Sequence, residues 1–221
     1  MSRIYNSLDC VSYYLALQSQ TTMTSESDQH RDAMQSVQDE MRDKVKAANK
    51  KQGVLIYLFG QGKGKSSSAF GTLMRAVGHG QRAAVIQFIK GSWKTGEERY
   101  FAEQPLITHD VMGSGFTWDS QDKEKDKRLA KEAWMVAKEK LQDETVQLVV
   151  IDELTYMFDF EYLDLQDCVD ALRNRPTNQN VILTGRSRID ALYDLADTVS
   201  EVVEHKHAFN DGVRAQAGIE F

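Results

Sequence analysis

Phe59-Gly60-Gln61-Gly62-Lys63-Gly64-Lys65-Ser66 is the stretch on which the fold turns. It comes directly after the apolar run Val54–Phe59 and opens a helical pattern over Ser66–Val77. Glycines allow a turn to bring its backbone N–H groups onto phosphate oxygens, and a helix N-terminus adds its dipole. In such a loop Lys65 neutralises phosphate charge and the Ser66 hydroxyl ligates Mg²⁺. The standard phosphate loop has glycine at the position of Phe59, so this loop departs from it, with glycines at 60, 62 and 64. A bare Gly-Lys-Ser occurs by chance; its place between a strand and a helix is what predicts nucleotide binding.

Outward from the loop, the body alternates. Apolar, β-branched runs stand at Val54–Phe59, Ala83–Ile89, Gln147–Ile151, Val181–Thr184 and Thr198–Val203, with a weaker one at Ile107–Met112. Helical patterns separate them at Ser66–Val77, Asp122–Leu141, Leu165–Arg173 and Ile189–Ala196. Near-continuous apolar strands joined by helices predict an α/β fold, a mostly parallel sheet covered on both faces. The charged run Asp119–Lys131 is expected to be a solvated helix face, with Leu129, Ala133, Trp134, Ala137 and Leu141 as the buried stripe.

The N-terminal quarter differs. Residues 1–22 share no pattern with the rest of the chain, and Met23 precedes Thr24-Ser25-Glu26-Ser27-Asp28, residue types that cap helix N-termini. Met23 is therefore read as the native start and residues 1–22 as an upstream extension. Met34, Val37, Met41, Val45 and Ala48 then form a narrow helical stripe ending before Gly53. Residues 23–52 are either a helix packed on its own domain or an arm for a partner subunit. The domain proper is expected over 53–221.

Composition narrows the class. The 221 residues carry 27 basic and 33 acidic side chains, a net charge of −6, against the basic footprint of a nucleic-acid binder. Two cysteines, Cys10 and Cys168, are too few for a disulfide framework and fit a cytoplasmic protein. No apolar run approaches the roughly 18–20 residues that span a bilayer, so neither membrane nor nucleic acid is expected as a partner.

A second piece of site chemistry lies at Leu148-Val149-Val150-Ile151, which runs into Asp152-Glu153. Carboxylates at the C-terminal end of a parallel strand stand where such sheets bind ligands, and one there can hold Mg²⁺ directly or through water. An acidic turn ending the strand is the plainer alternative. Arg186, after Thr184-Gly185, either reaches a terminal phosphate or is simply exposed. No Asn-Lys-x-Asp motif supports guanine recognition. His205 and His207 share one face of an extended segment but lack a third metal ligand, and no Ser-His-Asp or Cys-His pair is apparent.

Taken with Arg75-Ala76-Val77-Gly78-His79-Gly80, Gln87-Phe88-Ile89-Lys90-Gly91, Gly115-Phe116-Thr117-Trp118-Asp119, Asp152-Glu153-Leu154-Thr155-Tyr156, Thr184-Gly185-Arg186 and a tail from Lys206 through Gln216, the loop resembles one family. It is similar to the bacterial P-loop corrinoid adenosyltransferases, from about residue 28 to residue 221. Gln61 stands where the family usually has asparagine, and Ser66-Ser67 replace two threonines.

The resemblance implies a P-loop NTPase-like fold and an ATP site of Gly60, Gln61, Gly62, Lys63, Gly64, Lys65, Ser66, Ser67 and Arg186. It implies a Mg²⁺ site of Ser66 and Glu153 with Asp152 behind them. The reaction implied is attack of cob(I)alamin cobalt, or of a related corrinoid, on the 5′ carbon of ATP with loss of triphosphate, Lys65 stabilising the departing charge. Co(I) carries no proton, so no general base is needed. Phe116 and Trp118, which by themselves would be core or loop packing, resemble the aromatics that exclude the lower axial ligand of the corrinoid. A homodimer and a reduced flavoprotein donor such as a flavodoxin are implied as well. A P-loop kinase or ATPase and a non-catalytic nucleotide-binding module remain alternatives, since the fold hosts many activities.

Overall fold

The computed structural model describes residues 7–89, 95–112 and 122–221, with side chains from Glu26 onward. It divides into two units, Met1–Lys51 and Gln52–Phe221. The first is one helix, α1 (Ser7–Ala47). It passes uninterrupted through Thr24–Asp28, so those residues lie inside the helix, not at its start. Ser, Thr and Asp cost only tenths of a kcal/mol each in a helix interior, and extending a formed helix is easier than nucleating one. Met34, Val37, Met41 and Val45 are exposed.

In the second unit β1 (Leu55–Phe59) leads through the glycine loop into α2 (Lys65–Gly78). Next come β2 (Ala83–Gln87), α3 (Gly96–Ala102), β3 (Ile107–Val111) and α4 (Lys123–Gln142). Then come β4 (Leu148–Asp152), α5 (Thr155–Asp159), α6 (Leu165–Arg173), β5 (Asn180–Thr184), α7 (Asp190–Leu195) and β6 (Thr198–Glu201). A short 3₁₀ turn, Ala208–Asp211, lies in the tail. The six sequence-predicted strands and the four predicted body helices are all present. α3 and α5 are additions, and β6 ends at Glu201 where the sequence pattern ran on to Val203.

All strand pairs are parallel, in the order β3-β2-β4-β5-β1-β6. Alternate strand residues face two separate cores. Tyr57, Ile86, Val149, Ile151 and Leu183 pack with Trp134, Met157, Leu172 and Leu192 from α4 to α7. Leu58, Val85, Val150 and Ile182 pack with Ala69, Phe70 and Leu73 of α2 and Phe101 of α3. Burial on both faces is why these strands lack polar alternation. In α4 the buried positions are Asp126, Ala130, Trp134, Ala137 and Leu141. Leu129 and Ala133, assigned to that stripe from sequence, sit at its margin, partly buried. Among the described residues no helix is long and apolar enough to cross a membrane.

Because every strand runs the same way, the residues that leave β1, β2, β4, β5 and β6 collect along one edge of the sheet. That edge holds the site.

Candidate nucleotide site

The loop after β1 is anchored to the strands beside it. Gly60 N–H donates to the Arg186 carbonyl at 3.1 Å and Gly62 N–H to the Val202 carbonyl at 2.7 Å. Gly60 has φ +113°, and a Cβ there would lie 2.5 Å from the Val202 oxygen. Gly64 caps α2 with φ +119°, a conformation glycine adopts freely. Two loop amides therefore serve the scaffold. The amides free of intrahelical partners are those in the first turn of α2, from Lys65 onward.

These elements enclose a cleft of about 340 Å³. Gln61, Gly62, Lys63, Gly64, Lys65, Ser66 and Ser67 line it, with Asp152 and Glu153 from the end of β4 and Arg186 from the end of β5. The two sequence signals that lie 87 positions apart, Lys65 and Asp152, thus meet in one cavity. Phe116 and Trp118 lie outside the described residues.

Lys65 is 6% exposed, and its ammonium donates to the Gly62 carbonyl at 2.8 Å. Burial pushes its pKa down, the Glu153 carboxylate pulls it back, and Arg186 lowers it further. Glu153 shows the mirror image. Burial and then neighbouring Asp152 push its carboxyl up, while Lys65 and Arg186 oppose them. Each group carries a desolvation cost that the other only partly offsets. Glu153 Oε2 is buried with no hydrogen-bond partner.

Asp152 is held differently. It is 2% exposed, and its oxygens accept from the Thr184 hydroxyl at 2.6 Å and the Gln87 amide at 2.9 Å. Both oxygens are engaged within the protein, which sets it behind Glu153. Arg186 Nη1 donates to Gln61 Oε1 at 3.3 Å across the loop.

Sequence reasoning missed several lining residues. Thr95 and Glu97 come from the start of α3, and Glu204, Ile219 and Glu220 from the tail, where His207, weighed from sequence as a metal ligand, lines the cleft as well. Lys63 pairs with Glu220. His207 Nδ1 accepts from the Phe209 amide and so caps the 3₁₀ turn. Among the described residues no group of three His, Cys, Asp or Glu is arranged to hold a metal. A cation here would share its coordination with phosphate oxygens.

Fold and cleft define a P-loop nucleotide-binding α/β protein with an acidic pair opposite the loop. The sequence matches the family described as ATP:corrinoid adenosyltransferase BtuR/CobO/CobP over residues 51–221, and the chain belongs to that family, as an enzyme of the corrinoid adenosyltransferase class. It is 44% identical over 194 residues to the corrinoid adenosyltransferase of Escherichia coli K12, covering 88% of this chain and 98% of that protein. The figures are the same for the corrinoid adenosyltransferase CobA of Salmonella typhimurium. The corrinoid adenosyltransferase of Pseudomonas aeruginosa is 44% identical over 193 residues, 87% and 95% of the two chains. A solved KaiC-like protein, PH0186 of Pyrococcus horikoshii, overlaps 71% of this chain and 75% of its own at 17% identity, with a TM-score of 0.41.

Proposed function

We propose that this enzyme transfers the 5′-deoxyadenosyl group of ATP to the cobalt of cob(I)alamin or a related corrinoid, releasing triphosphate, in adenosylcobalamin synthesis or salvage. A cobalt–carbon bond forms with the cobalt electron pair, and the bond from C5′ to the triphosphate oxygen breaks with its pair leaving on that oxygen. No proton moves, which agrees with the absence of an evident base in the sequence. The observation that carries the reading is the pairing of Lys65 and Glu153 within one cleft, in a chain of this family.

The chain's own residues have three tasks in this reaction. Lys65, Lys63, Arg186 and the first-turn amides of α2 bind the triphosphate and stabilise the charge it gains as it leaves. Ser66 and Glu153 fit Mg²⁺, because an orphaned, buried carboxylate oxygen and a hydroxyl lining one cleft are the hard oxygen donors this ion takes. Bound there, Mg²⁺ would neutralise part of the leaving triphosphate's charge. Asp152, with both oxygens engaged, supports the site without touching the ion. Phe116 and Trp118 exclude the corrinoid's lower ligand, as the family likeness implies. Such aromatics form an apolar wedge that offers no lone pair to cobalt.

The same reading makes residues 23–52 an arm for a partner subunit in a homodimer, which the exposed Met34, Val37, Met41 and Val45 support. It places the enzyme in the cytoplasm with a reduced flavoprotein as electron donor.

The test is to mix the protein with ATP, Mg²⁺ and chemically reduced cob(I)alamin and monitor both products. A light-sensitive adenosylcobalamin spectrum with one triphosphate per turnover is expected. ADP with an unchanged corrinoid would instead identify a kinase or ATPase.

A further inference from the structure

Glu153 is one of two described non-glycine residues with positive φ, at 58°. An L-residue in the left-handed region carries a cost that its surroundings must hold in place. Both amides that come after Asp152 are captured by a single residue. Glu153 N–H donates to Thr184 Oγ1 at 2.9 Å, and Leu154 N–H donates to the Thr184 carbonyl at 2.9 Å. Thr184 is fully buried at the end of β5. Its hydroxyl proton goes to Asp152 Oδ1 at 2.6 Å.

The chain of contacts continues across the sheet. Asp152 Oδ2 accepts from Gln87 Nε2 at 2.9 Å, and Gln87 Oε1 meets His109 Nε2 at 2.7 Å. With the Gln87 amide donating to Asp152, its oxygen is the acceptor, so His109 Nε2 carries the proton. Four adjacent strands, β5, β4, β2 and β3, contribute one polar side chain each. Thr184 and Asp152 are buried and Gln87 and His109 partly so, and a polar network whose members satisfy one another holds a single geometry. Here that geometry ends at the residue whose own oxygen, Glu153 Oε2, is left without a partner.

We propose that Thr184 is the positioning residue for Glu153: anchored through its hydroxyl on Asp152, itself held by Gln87, it imposes the left-handed turn that sends the Glu153 carboxylate into the phosphate cleft. This rests on the reading of Glu153 as a metal ligand in the adenosyl-transfer site. It gives Asp152 a task other than coordination, that of orienting the hydroxyl so that its lone pair faces the Glu153 amide. Outer partners of metal ligands are worth roughly ten- to a hundredfold in metal affinity.

Thr184→Val keeps the branched shape and removes the hydroxyl, and Thr184→Ser restores it. Mn²⁺ binding to each protein in the presence of ATP is measured by electron paramagnetic resonance, and ATP binding in EDTA by calorimetry. T184V should lose about ten- to a hundredfold in Mn²⁺ affinity, with ATP binding in EDTA unchanged and T184S close to wild type. Wild-type Mn²⁺ affinity in T184V overturns the proposal, as does an equal loss of ATP binding in EDTA, which marks a merely structural role. If T184V does not fold, Gln87→Leu carries the same measurement, with weakened Mn²⁺ binding expected and unchanged binding overturning it. Failure of wild type to adenosylate corrinoid while it binds Mn²⁺ with ATP would sink the proposed reaction and leave the positioning role standing. Wild type binding no Mn²⁺ with ATP sinks both.

Discussion

Lys63 Nζ lies 2.5 Å from Glu220 Oε2, an ion pair that joins the phosphate loop to the C-terminal tail. Both side chains remain partly open to water, at 45% and 32% exposure. A pair this exposed contributes about 0.2–1 kcal/mol. It nevertheless places a carboxylate where an incoming triphosphate needs a free cation. Glu220→Gln should therefore tighten ATP binding by up to about fivefold at low ionic strength, with the gain shrinking as salt rises. Calorimetric titration of ATP at two salt concentrations checks both parts. Equal affinities at low salt would show that the pair does not compete with nucleotide.

Lys65→Ala should leave the fold intact and reduce turnover with preformed cob(I)alamin. Removing one preorganised group that meets developing charge lowers kcat by roughly two to three orders of magnitude. The check is single-turnover kinetics at saturating ATP, which separates the chemical step from weakened binding. A rise in KM with unchanged kcat would mean that Lys65 holds ground state and transition state equally.

Trp118→Ala separates two stages of the reaction. With cob(II)alamin and a reduced flavoprotein the variant should lose nearly all activity. With chemically prepared cob(I)alamin, already past the Co(II) reduction that a bound lower ligand hinders, it should approach wild type. Comparable activity of variant and wild type in the first assay would remove the wedge assignment from Phe116 and Trp118.

The contact between α4 and α6 carries a pH effect. The Trp134 indole N–H donates to Asp167 Oδ2 at 2.7 Å, and Lys138 reaches both carboxylate oxygens at 3.0 and 3.2 Å. The Trp134 bond first and Lys138 second hold this carboxyl below its ordinary pKa. A depressed carboxylate stabilises the fold above its unfolded pKa, and that contribution is lost as pH falls through the folded value. Since Asp167 is 48% exposed, water screens the pair and the gain stays under about 1 kcal/mol. Asp167→Asn should lower the melting temperature at pH 7 by no more than a few degrees. Its difference from wild type should narrow as the pH is taken down through the carboxylate range. A difference independent of pH would assign the effect to packing.

Much of this architecture is written locally. Val149, Val150 and Ile151 announce a strand buried on both faces, and Lys65 and Ser66 announce the cradle, because strand burial and phosphate binding each act through neighbours in sequence. α5, Thr155–Asp159, is five residues long and too short to show a helical period. α3 is almost as brief, and its one local signal is a Thr-x-x-Glu start in which Thr95 accepts from the Glu98 amide. The Thr184–Asp152–Gln87–His109 network left none. Its members come from four strands, and only the register that pairs Gln87 with Asp152 brings them together. The N-terminal helix runs the other way, a cap-like string at Thr24–Asp28 that the flanking helix overrides.

The place of β1 in the sheet has a consequence for how the molecule comes into being. Its neighbours are β5 and β6, while β2, β3 and β4 pair among themselves and with β5. During synthesis the glycine loop emerges early, yet its strand has no partner until residues 180–184 have left the ribosome. Such distant parallel pairing is slow and leaves apolar edges waiting. β5 is therefore the keystone of assembly, and weakening it should delay folding of the whole sheet more than equal damage to β3 at the rim.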